Sequence, residues 1–241
     1  MTFAETVAPS LSGHVLVAAP TGGGKSYLVG ALIEQLDHAK KPYVILDTKS
    51  QNHIGLWVGK NRLKKLHLFR CFPDTDLTID DYKKMLRENP RLLCIPTTDT
   101  EIDHLIEEYK KILKAVQNLK LPRHVIVEET HHYCRSPQKA IPEIEWIVRE
   151  GRGYKIWLWS ITQRIQSFPK DVWANGMWTY IMHMRIRHDV DYFDDALPDG
   201  EDFRIVNEEL KLHDVLQLDQ ISGKYQIIKA AEVTRKTQHF G

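Results

Sequence analysis

Short apolar segments alternate along this chain with longer segments in which apolar residues recur at helical spacing. The short segments predict strands at Val15–Ala19, Tyr43–Leu46, Leu66–Phe72, Leu92–Ile95, Val125–Val127, Ile156–Ile161 and Trp178–Met184. The longer segments predict helices at Lys25–His38, at Asp80–Glu88, from an N-cap at Thr100 to Gln117, and at Ile141–Glu150. Alternating strands and helices favour an α/β fold with a mostly parallel central sheet flanked by helices.

The last part of the chain predicts a different local structure. Val215–Leu218 and Tyr225–Ile228 flank the dipeptide Ser222-Gly223, and this pattern predicts a closing β-hairpin. A length of 241 residues fits one α/β domain. We therefore predict a single domain, with residues 1–12 as a short N-terminal extension, 13–187 as the core and 188–241 as a C-terminal elaboration.

Composition is that of an ordinary globular protein, with 42% hydrophobic and 27% charged residues. No segment approaches the roughly 18 consecutive apolar residues of a transmembrane helix. Residues 1–12 lack the basic segment and apolar core of a secretory signal. The three cysteines, Cys71, Cys94 and Cys134, are widely spaced and odd in number, which suits reduced thiols in a cytosolic compartment.

Charge is nearly balanced over the whole chain, so the formal net charge of +1 gives no global field that would attract nucleic acid. Two local basic runs lie within residues 60–70 and 183–188. Each is as compatible with a solvated surface as with contacts to a phosphate backbone. Acidic residues concentrated within 189–202 would repel a polyanion, or form plain surface.

A glycine-rich octapeptide, Ala19-Pro20-Thr21-Gly22-Gly23-Gly24-Lys25-Ser26, lies between a predicted strand and a predicted helix. Glycines allow backbone N–H groups to converge on a phosphate, and the helix dipole favours an anion at the same place. Lys25 would contact the β- and γ-phosphates, while the Ser26 hydroxyl would coordinate Mg²⁺. We therefore predict a site for ATP and Mg²⁺ formed by Thr21, Gly22, Gly23, Gly24, Lys25, Ser26 and Tyr27.

Two acids follow the apolar strand that begins at Val125. Parallel strands bring their carboxyl ends to one edge of a sheet, so Glu128 and Glu129 should lie near the glycine-rich loop. We expect Glu128 to support the metal, directly or through water, and Glu129 to activate the attacking water. Adjacent acids after a strand are often only a solvated loop, and the nearby glycine-rich loop favours the catalytic interpretation.

A third polar group, Gln163, follows the strand Ile156–Ile161 at the same expected edge. An amide there can detect the γ-phosphate. Arg149 and Arg152 precede that strand, where they are poorly placed to reach their own nucleotide. They are well placed to enter a neighbour's site in a ring and to act there on the charge of the transition state.

These segments together resemble the FtsK–HerA superfamily of DNA-pumping ATPases. The matching segments are Thr21–Ser26, Leu46–Lys49, Val125–Glu129, Gly151–Tyr154 leading into Ile161–Arg164, and Phe168–Asn175. The sequence departs from the family at Ala19, where glycine is usual, and at Glu128, where aspartate is usual. The size of the chain is most similar to the minimal genome-packaging ATPases of membrane-containing icosahedral viruses.

The resemblance implies a RecA-like P-loop NTPase fold of the ASCE class, a hexameric ring and ATP hydrolysis at subunit boundaries. It also implies double-stranded DNA threaded through a central pore, with Arg152 or Arg149 as the arginine finger. Capsid-vertex or internal-membrane proteins are further implied partners, and the virion or the host cytoplasm is the implied location.

Three other functions remain open from the sequence. A cellular or plasmid translocase of the same superfamily, acting in repair or conjugation in the cytoplasm, shares these motifs. A small-molecule or nucleotide kinase shares the glycine-rich loop, although Glu128-Glu129 and Thr162-Gln163-Arg164 disfavour it. An assembly or secretion protein of filamentous-phage type usually has a transmembrane segment, and none is predicted here.

Overall fold

The strands pair into one large sheet with a small separate hairpin. The computed structural model describes residues 2–49, 51–58, 66, 68–73, 76–96, 100–136, 139–194, 196–197 and 201–240. Within these residues the strands are β1 (Val15–Ala18), β2 (Tyr43–Leu46), β3 (Phe69–Cys71), β4 (Arg91–Cys94), β5 (Arg123–Val127), β6 (Cys134–Ser136), β7 (Lys139–Ala140), β8 (Ile156–Thr162), β9 (Trp178–Met182), β10 (Val215–Asp219) and β11 (Tyr225–Ile228).

The large sheet has nine strands in the order β11-β10-β9-β1-β8-β5-β2-β4-β3. The strands from β9 to β3 in this order run parallel, whereas β10 is antiparallel to β9 and to β11. The prediction of a mostly parallel α/β sheet with a C-terminal hairpin is therefore confirmed. The sequence did not predict the small hairpin of β6 and β7.

Helices connect the parallel strands and cover the sheet. They are α1 (Phe3–Val7), α2 (Lys25–His38), α3 (Ile54–Val58), α4 (Ile79–Glu88), α5 (Ile102–Leu119), α6 (Pro142–Glu150), α7 (Lys170–Ala174), α8 (Arg187–Asp191) and α9 (Phe203–Glu209). Helix α2 has the predicted bounds. The short helix α7 has Pro169 as its N-cap and Asn175 as its C-cap, and it lies in the segment that carried part of the family resemblance.

The start of α5 corrects one prediction. Its N-cap is Glu101, which has no side-chain capping hydrogen bond, so the assignment of Thr100 as N-cap was wrong. Thr100 lies one position before the cap, whereas a capping side chain must sit at the cap itself to accept from the first turn. Helix α4 shows the capping pattern in full, because Thr78 and Asp81 exchange hydrogen bonds between side chain and backbone.

Several predicted features fall on residues outside the described part of the chain. They are Lys60, Arg62, Lys64, Lys65 and His67 of the first basic run, and Asp195 and Asp199 of the acidic stretch. The described strand at this point, β3, is shorter than the predicted strand Leu66–Phe72.

Alternate residues of the central strands pack on opposite faces of the sheet. In β1, Leu16 and Ala18 join a core cluster with α5 and α6, whereas Val15 and Val17 join a second cluster with α1 and α2. All four side chains are buried, because parallel strands covered on both faces expose neither. The helix that follows the glycine-rich loop is thus fixed to the sheet along its length.

Two histidines are buried at the end of the sheet where the parallel strands begin. His14 accepts a hydrogen bond at Nδ1 from the backbone N–H of Leu158, at 2.9 Å. Burial, together with the charge of Arg152, lowers the pKa of His14 to about 4. Burial also lowers the pKa of His124 to about 3, with smaller effects from Lys41 and His14. Both imidazoles are therefore neutral in the folded protein near neutral pH.

These histidines predict acid sensitivity between about pH 4 and pH 6.5. In that range the unfolded chain binds protons at His124 and the folded chain does not, so the free energy of unfolding falls as pH falls. We expect His124→Phe to reduce this slope by up to about 1.4 kcal/mol per pH unit. Urea unfolding at several pH values measures it, with His104→Phe on the exposed face of α5 as the control. An unchanged slope in His124→Phe would contradict the assignment.

Candidate functional site

Four adjacent strands bring the sequence-predicted residues to one edge of the sheet. The strands β1, β8, β5 and β2 are neighbours, and they lead respectively into the glycine-rich loop, Gln163, Glu128-Glu129 and Asp47. Backbone hydrogen bonds continue past the strand ends, from Ala19 to Thr162 at 3.2 Å and from Glu128 to Leu46 at 3.1 Å. The fold therefore assembles the three groups that the sequence placed there.

The glycine-rich loop has backbone angles that other residues rarely adopt. Gly22 has φ 76° and Gly24 has φ 96°, both in the left-handed region that glycine adopts without strain. Gly24 is also the N-cap of α2 and supplies no side chain to satisfy the first N–H groups of that helix. Those groups, with the positive end of the helix dipole, suit an anion.

Lys25 is paired with both predicted acids in this structure. Its Nζ donates to Oε1 of Glu129 at 2.9 Å and lies 3.6 Å from Oε2 of Glu128. Lys25 is 8% exposed, Glu129 2% and Glu128 fully buried. Burial alone would raise the pKa of Glu128, but the charge of Lys25 and a hydrogen bond from His53 outweigh it and lower that pKa to about 2. Burial likewise opposes the charge of Lys25, yet the two glutamates raise its pKa. The lysine and the two glutamates therefore stabilise one another in this buried position.

His53 is a site residue that the sequence did not predict. Its Nε2 lies 2.6 Å from Oε1 of Glu128, and because Glu128 is ionised, the imidazole N–H is the donor. Asp47 positions this histidine by accepting the backbone N–H of His53 at 3.0 Å. Burial is the main reason that the pKa of Asp47 is raised to about 6. A lone histidine in a polar loop carries no sequence pattern that would have identified it.

Glu129 lies at a sharp turn held from both sides. Its backbone is left-handed, with φ 47° and ψ 50°, which a non-glycine residue adopts only under constraint. Thr130 provides the constraint, since its hydroxyl donates to the carbonyl of Val127 at 2.8 Å and accepts from the N–H of Ile161 at 3.1 Å. His131 packs 3.4 Å from Glu129 Oε2, and burial lowers its pKa to about 4. The turn directs the Glu129 carboxylate toward Lys25.

A cavity of about 470 Å³ opens in front of these groups. Gln163 lies on its wall and accepts a hydrogen bond from the hydroxyl of Thr21 at 2.8 Å. The other lining residues are Pro20, Gly22, Gly24, Lys25, Ser26, Tyr27, Leu28, Lys49, Asn52, Glu129, Met182, His213, Ala230, Val233 and His239. Except for Gly23, the residues predicted to bind the nucleotide all line this cavity. Gly23 accepts at its backbone carbonyl from His213 Nδ1 at 3.0 Å.

Arg149 and Arg152 lie away from this cavity. Arg149 is in the last turn of α6, and Arg152 is in a short 3-10 helix, Gly151–Tyr154, immediately before β8. Both are exposed. Strand β8 separates them from Gln163 by roughly 20 Å, at about 3.3 Å per residue. The sequence predicted that these arginines could not reach the nucleotide of their own subunit, and in the structure they lie far from that subunit's cavity.

The residues at the cavity fit Mg²⁺ in part. Ser26 lines the cavity and offers a hydroxyl oxygen, and magnesium prefers oxygen ligands. Glu128 is fully buried behind Lys25, and its Oε2 has no hydrogen-bond partner among the described residues. In the same part of the chain, no cluster of three or more acidic, histidine or cysteine residues could hold a metal by itself. Ser26 and Glu128 would therefore hold Mg²⁺ only together with phosphate oxygens and water.

The sequence matches one protein family. The model of the family described as the central domain of the helicase HerA matches residues 7–177, a range that contains the glycine-rich loop, Glu128, Glu129 and Gln163. No curated protein matches the sequence. Among the described residues, no helix has both the length and the apolar character needed to cross a membrane.

Solved structures share the fold over most of the chain. The genome packaging NTPase B204 from Sulfolobus turreted icosahedral virus 2, in complex with AMPPCP, matches with a TM-score of 0.65 and 16% identity over 91% of this chain and 98% of that chain. VirB4 of Thermoanaerobacter pseudethanolicus matches with a TM-score of 0.59 and 12% identity, over 90% of this chain and 88% of that chain. The bacterial conjugative coupling protein TrwB matches with a TM-score of 0.61 and 10% identity, over 94% of this chain and 87% of that chain. At these identities the likeness is one of fold.

The buried ion cluster predicts that Lys25 stabilises the protein. Lys25→Met would leave two buried carboxylates without their cation, so we expect the free energy of unfolding near pH 8 to fall by about 3–5 kcal/mol. Without Lys25, burial is opposed only by the hydrogen bond and charge of His53, so the pKa of Glu128 is higher than in the wild type and this glutamate takes up a proton more readily as pH falls. The loss should therefore be smaller near pH 5. Urea unfolding at both pH values measures it, and Lys49→Met, at an exposed position on the same cavity, is the control. Equal losses in the two variants would contradict the pairing.

Proposed function

We propose that this chain, which belongs to the family of HerA helicase central domains, is a Mg²⁺-dependent ATPase that moves double-stranded DNA as a ring of identical subunits. The family membership confirms the resemblance to the FtsK–HerA superfamily. One observation carries the proposal: Lys25 contacts Glu129 at the wall of a cavity formed by the ends of β1, β5 and β8. The contact supports the proposal, because a lysine that can bind phosphate lies beside a carboxylate that can activate water.

ATP binding changes the partners of Lys25 in this mechanism. The phosphates occupy the glycine-rich loop and draw Lys25 Nζ away from Glu129 Oε1, its present partner at 2.9 Å. The freed carboxylate then accepts a proton from water as the water oxygen attacks the γ-phosphorus and the bond to the leaving ADP oxygen breaks. Glu129 is thus inactive while paired with Lys25 and becomes the base only when nucleotide is present.

Glu128 and Gln163 have supporting roles. Glu128 accepts a hydrogen bond from His53 and, together with Ser26, would hold Mg²⁺, which when bound would neutralise charge on the phosphate oxygens. Gln163 shares a hydrogen bond with Thr21 of the glycine-rich loop, so loss of the γ-phosphate can alter its position. Through β8 this change is linked to the opposite end of the strand, where Arg152 lies.

The placement of the arginines supports the proposal of a ring. Arg152 and Arg149 are exposed and far from their own cavity, so they can act on a nucleotide only in a neighbouring subunit. A heterologous contact repeated around an axis closes into a ring, for which we propose six subunits. Such a ring provides a central pore for duplex DNA.

Genome packaging is the role we propose for this motor, in the virion or the host cytoplasm, with a capsid-vertex or internal-membrane protein as docking partner. It is supported by the match to the genome packaging NTPase B204, of which 98% is covered, against 88% and 87% for the VirB4 and TrwB chains. Translocation in conjugation or repair is the second candidate, supported by the match to the bacterial conjugative coupling protein TrwB.

DNA should stimulate the ATPase. We expect phosphate release by the purified protein to rise several-fold with linear duplex DNA and to depend on Mg²⁺, in samples whose mass indicates an oligomer. Glu129→Gln is the matched inactive control, and should bind ATP but turn it over at least about a hundredfold more slowly. A DNA-insensitive monomer would contradict the motor function, and full turnover by Glu129→Gln would contradict the assignment of the base. Transfer of phosphate to a small acceptor would indicate a kinase instead.

Mixed rings should reveal the arginine that acts between subunits. Glu129→Gln and Arg152→Ala should each be inactive alone, but a mixture should recover about a quarter of wild-type turnover, because an intact cavity can meet an intact Arg152 across a boundary. Glu129→Gln mixed with Ser26→Ala is the control, since both lesions lie in the same cavity and no recovery is expected. Recovery with Arg149→Ala in place of Arg152→Ala would move the role to Arg149. No recovery with either would contradict action between subunits.

A further inference from the structure

The last part of the chain is docked against the helix that follows the glycine-rich loop. We call residues 229–240 the C-terminal segment. Glu34 of α2 is 4% exposed, and its carboxylate accepts the backbone N–H groups of Lys236 and Thr237 at 2.9 and 2.6 Å. Among the described residues, the backbone donors to this carboxylate all come from the C-terminal segment. The contact is therefore specific, because burying the carboxylate without these hydrogen bonds would be costly.

Arg235 fixes the same segment to the glycine-rich loop. Its guanidinium donates to the backbone carbonyl of Ser26 at 2.9 Å, and also to Thr237 Oγ1 at 3.0 Å and the carbonyl of Gln238 at 2.9 Å. Helix α2 makes room for it at Gly30, where a Cβ would lie 2.3 Å from the Arg235 guanidinium carbon. Arg235 therefore joins the segment to a residue of the predicted phosphate site.

The cavity has two chemically different ends. Lys25, Lys49 and Glu129 give one end its charge, next to the glycine-rich loop. Tyr27, Ala230 and Val233 give the other end an apolar and aromatic lining, together with His239. The His239 ring meets the Tyr27 ring edge to face, with centroids 5.6 Å apart. Much of this second wall thus comes from the C-terminal segment.

We infer that the C-terminal segment forms the nucleoside subsite of this cavity, which takes the ribose and base of the nucleoside triphosphate. The inference rests on the proposed function, which assigns the charged end to the phosphates. The base of a nucleotide held there must lie at the other end of the same cavity, and planar bases pack against aromatic and apolar side chains. Arg235 is the positioning residue, because it ties the subsite to the carbonyl of Ser26. Since aromatic packing is tolerant of base identity, the subsite should accept purines and pyrimidines alike.

Two neighbouring alanines give a matched pair of variants. Ala230 lines the cavity and is half-buried, whereas Ala231 is exposed in the same 3-10 helix, Ala230–Glu232. Ala230→Trp should fill the subsite and weaken ATP binding by about tenfold or more. Inorganic tripolyphosphate carries the same phosphate chain without a nucleoside, so its affinity should stay unchanged. Ala231→Trp should alter neither. Titration calorimetry with each ligand and Mg²⁺ measures both affinities.

Gly30 and Arg235 give a second, independent pair. Gly30→Ala favours helix α2 by propensity but displaces the Arg235 guanidinium, so it should weaken ATP binding and spare tripolyphosphate, as should Arg235→Ala. The double variant should bind ATP with about the affinity of the single variant that binds it less tightly, because both changes release the same contact. Additive losses would overturn the positioning role of Arg235.

The failures of the two proposals are distinguishable. Wild-type protein that neither binds nor hydrolyses ATP would overturn the proposed function and the subsite with it. If the wild-type protein hydrolyses ATP but Ala230→Trp and Ala231→Trp bind ATP with equal affinity, the subsite alone would be overturned. Equal losses of ATP and tripolyphosphate in Ala230→Trp would also overturn it, because the phosphate end would then be affected. A selective loss of ATP affinity supports it.

Discussion

A lysine buried between two buried glutamates is the interaction on which this structure depends. Moving such charges out of water costs on the order of several kcal/mol per ion, and only close ion pairs and hydrogen bonds offset it. Here the compensation requires three separate parts of the chain: Lys25 at the start of α2, Glu128 and Glu129 after β5, and His53 in the loop after β2. The convergence of these strand ends is therefore a requirement of charge pairing as well as of packing.

The same cluster sets the charge balance of the site. Two carboxylates face one lysine, so a triphosphate entering the cavity adds negative charge to a site in which Lys49 is the one other lysine or arginine among the described lining residues. Further cations are needed to bind the nucleotide and to stabilise its transition state. Mg²⁺ at Ser26 and Glu128 would be one, and an arginine from a neighbouring subunit another. A cavity that is short of positive charge by itself is consistent with hydrolysis at a boundary between subunits.

Residues linked to local pattern could be predicted from the sequence, and residues linked only through the fold could not. The glycine-rich loop, helix Lys25–His38 and the acids after Val127 carry spacing or periodicity that identifies them, and each lies where it was expected. His53 contacts Glu128 across 75 positions of sequence, and Arg235 contacts Ser26 across 209. No local pattern records such contacts. The sheet order was likewise beyond prediction, because β1 pairs with β8 and β9 although both lie far along the chain.

The C-terminal segment thus packs on the helix that follows the glycine-rich loop, and this has a thermodynamic consequence. If the C-terminal segment contacts the nucleoside, ATP binds more tightly when the segment is docked, and by linkage the segment docks more firmly when ATP is bound. The contacts of Glu34 and Arg235 then determine how well the segment is ordered before nucleotide binds, and therefore how much binding free energy is lost in ordering it. A preorganised segment favours affinity, whereas a weakly docked one would let ATP occupancy change the surface that residues 229–240 present. The buried Glu34, with two backbone donors, argues for the preorganised case.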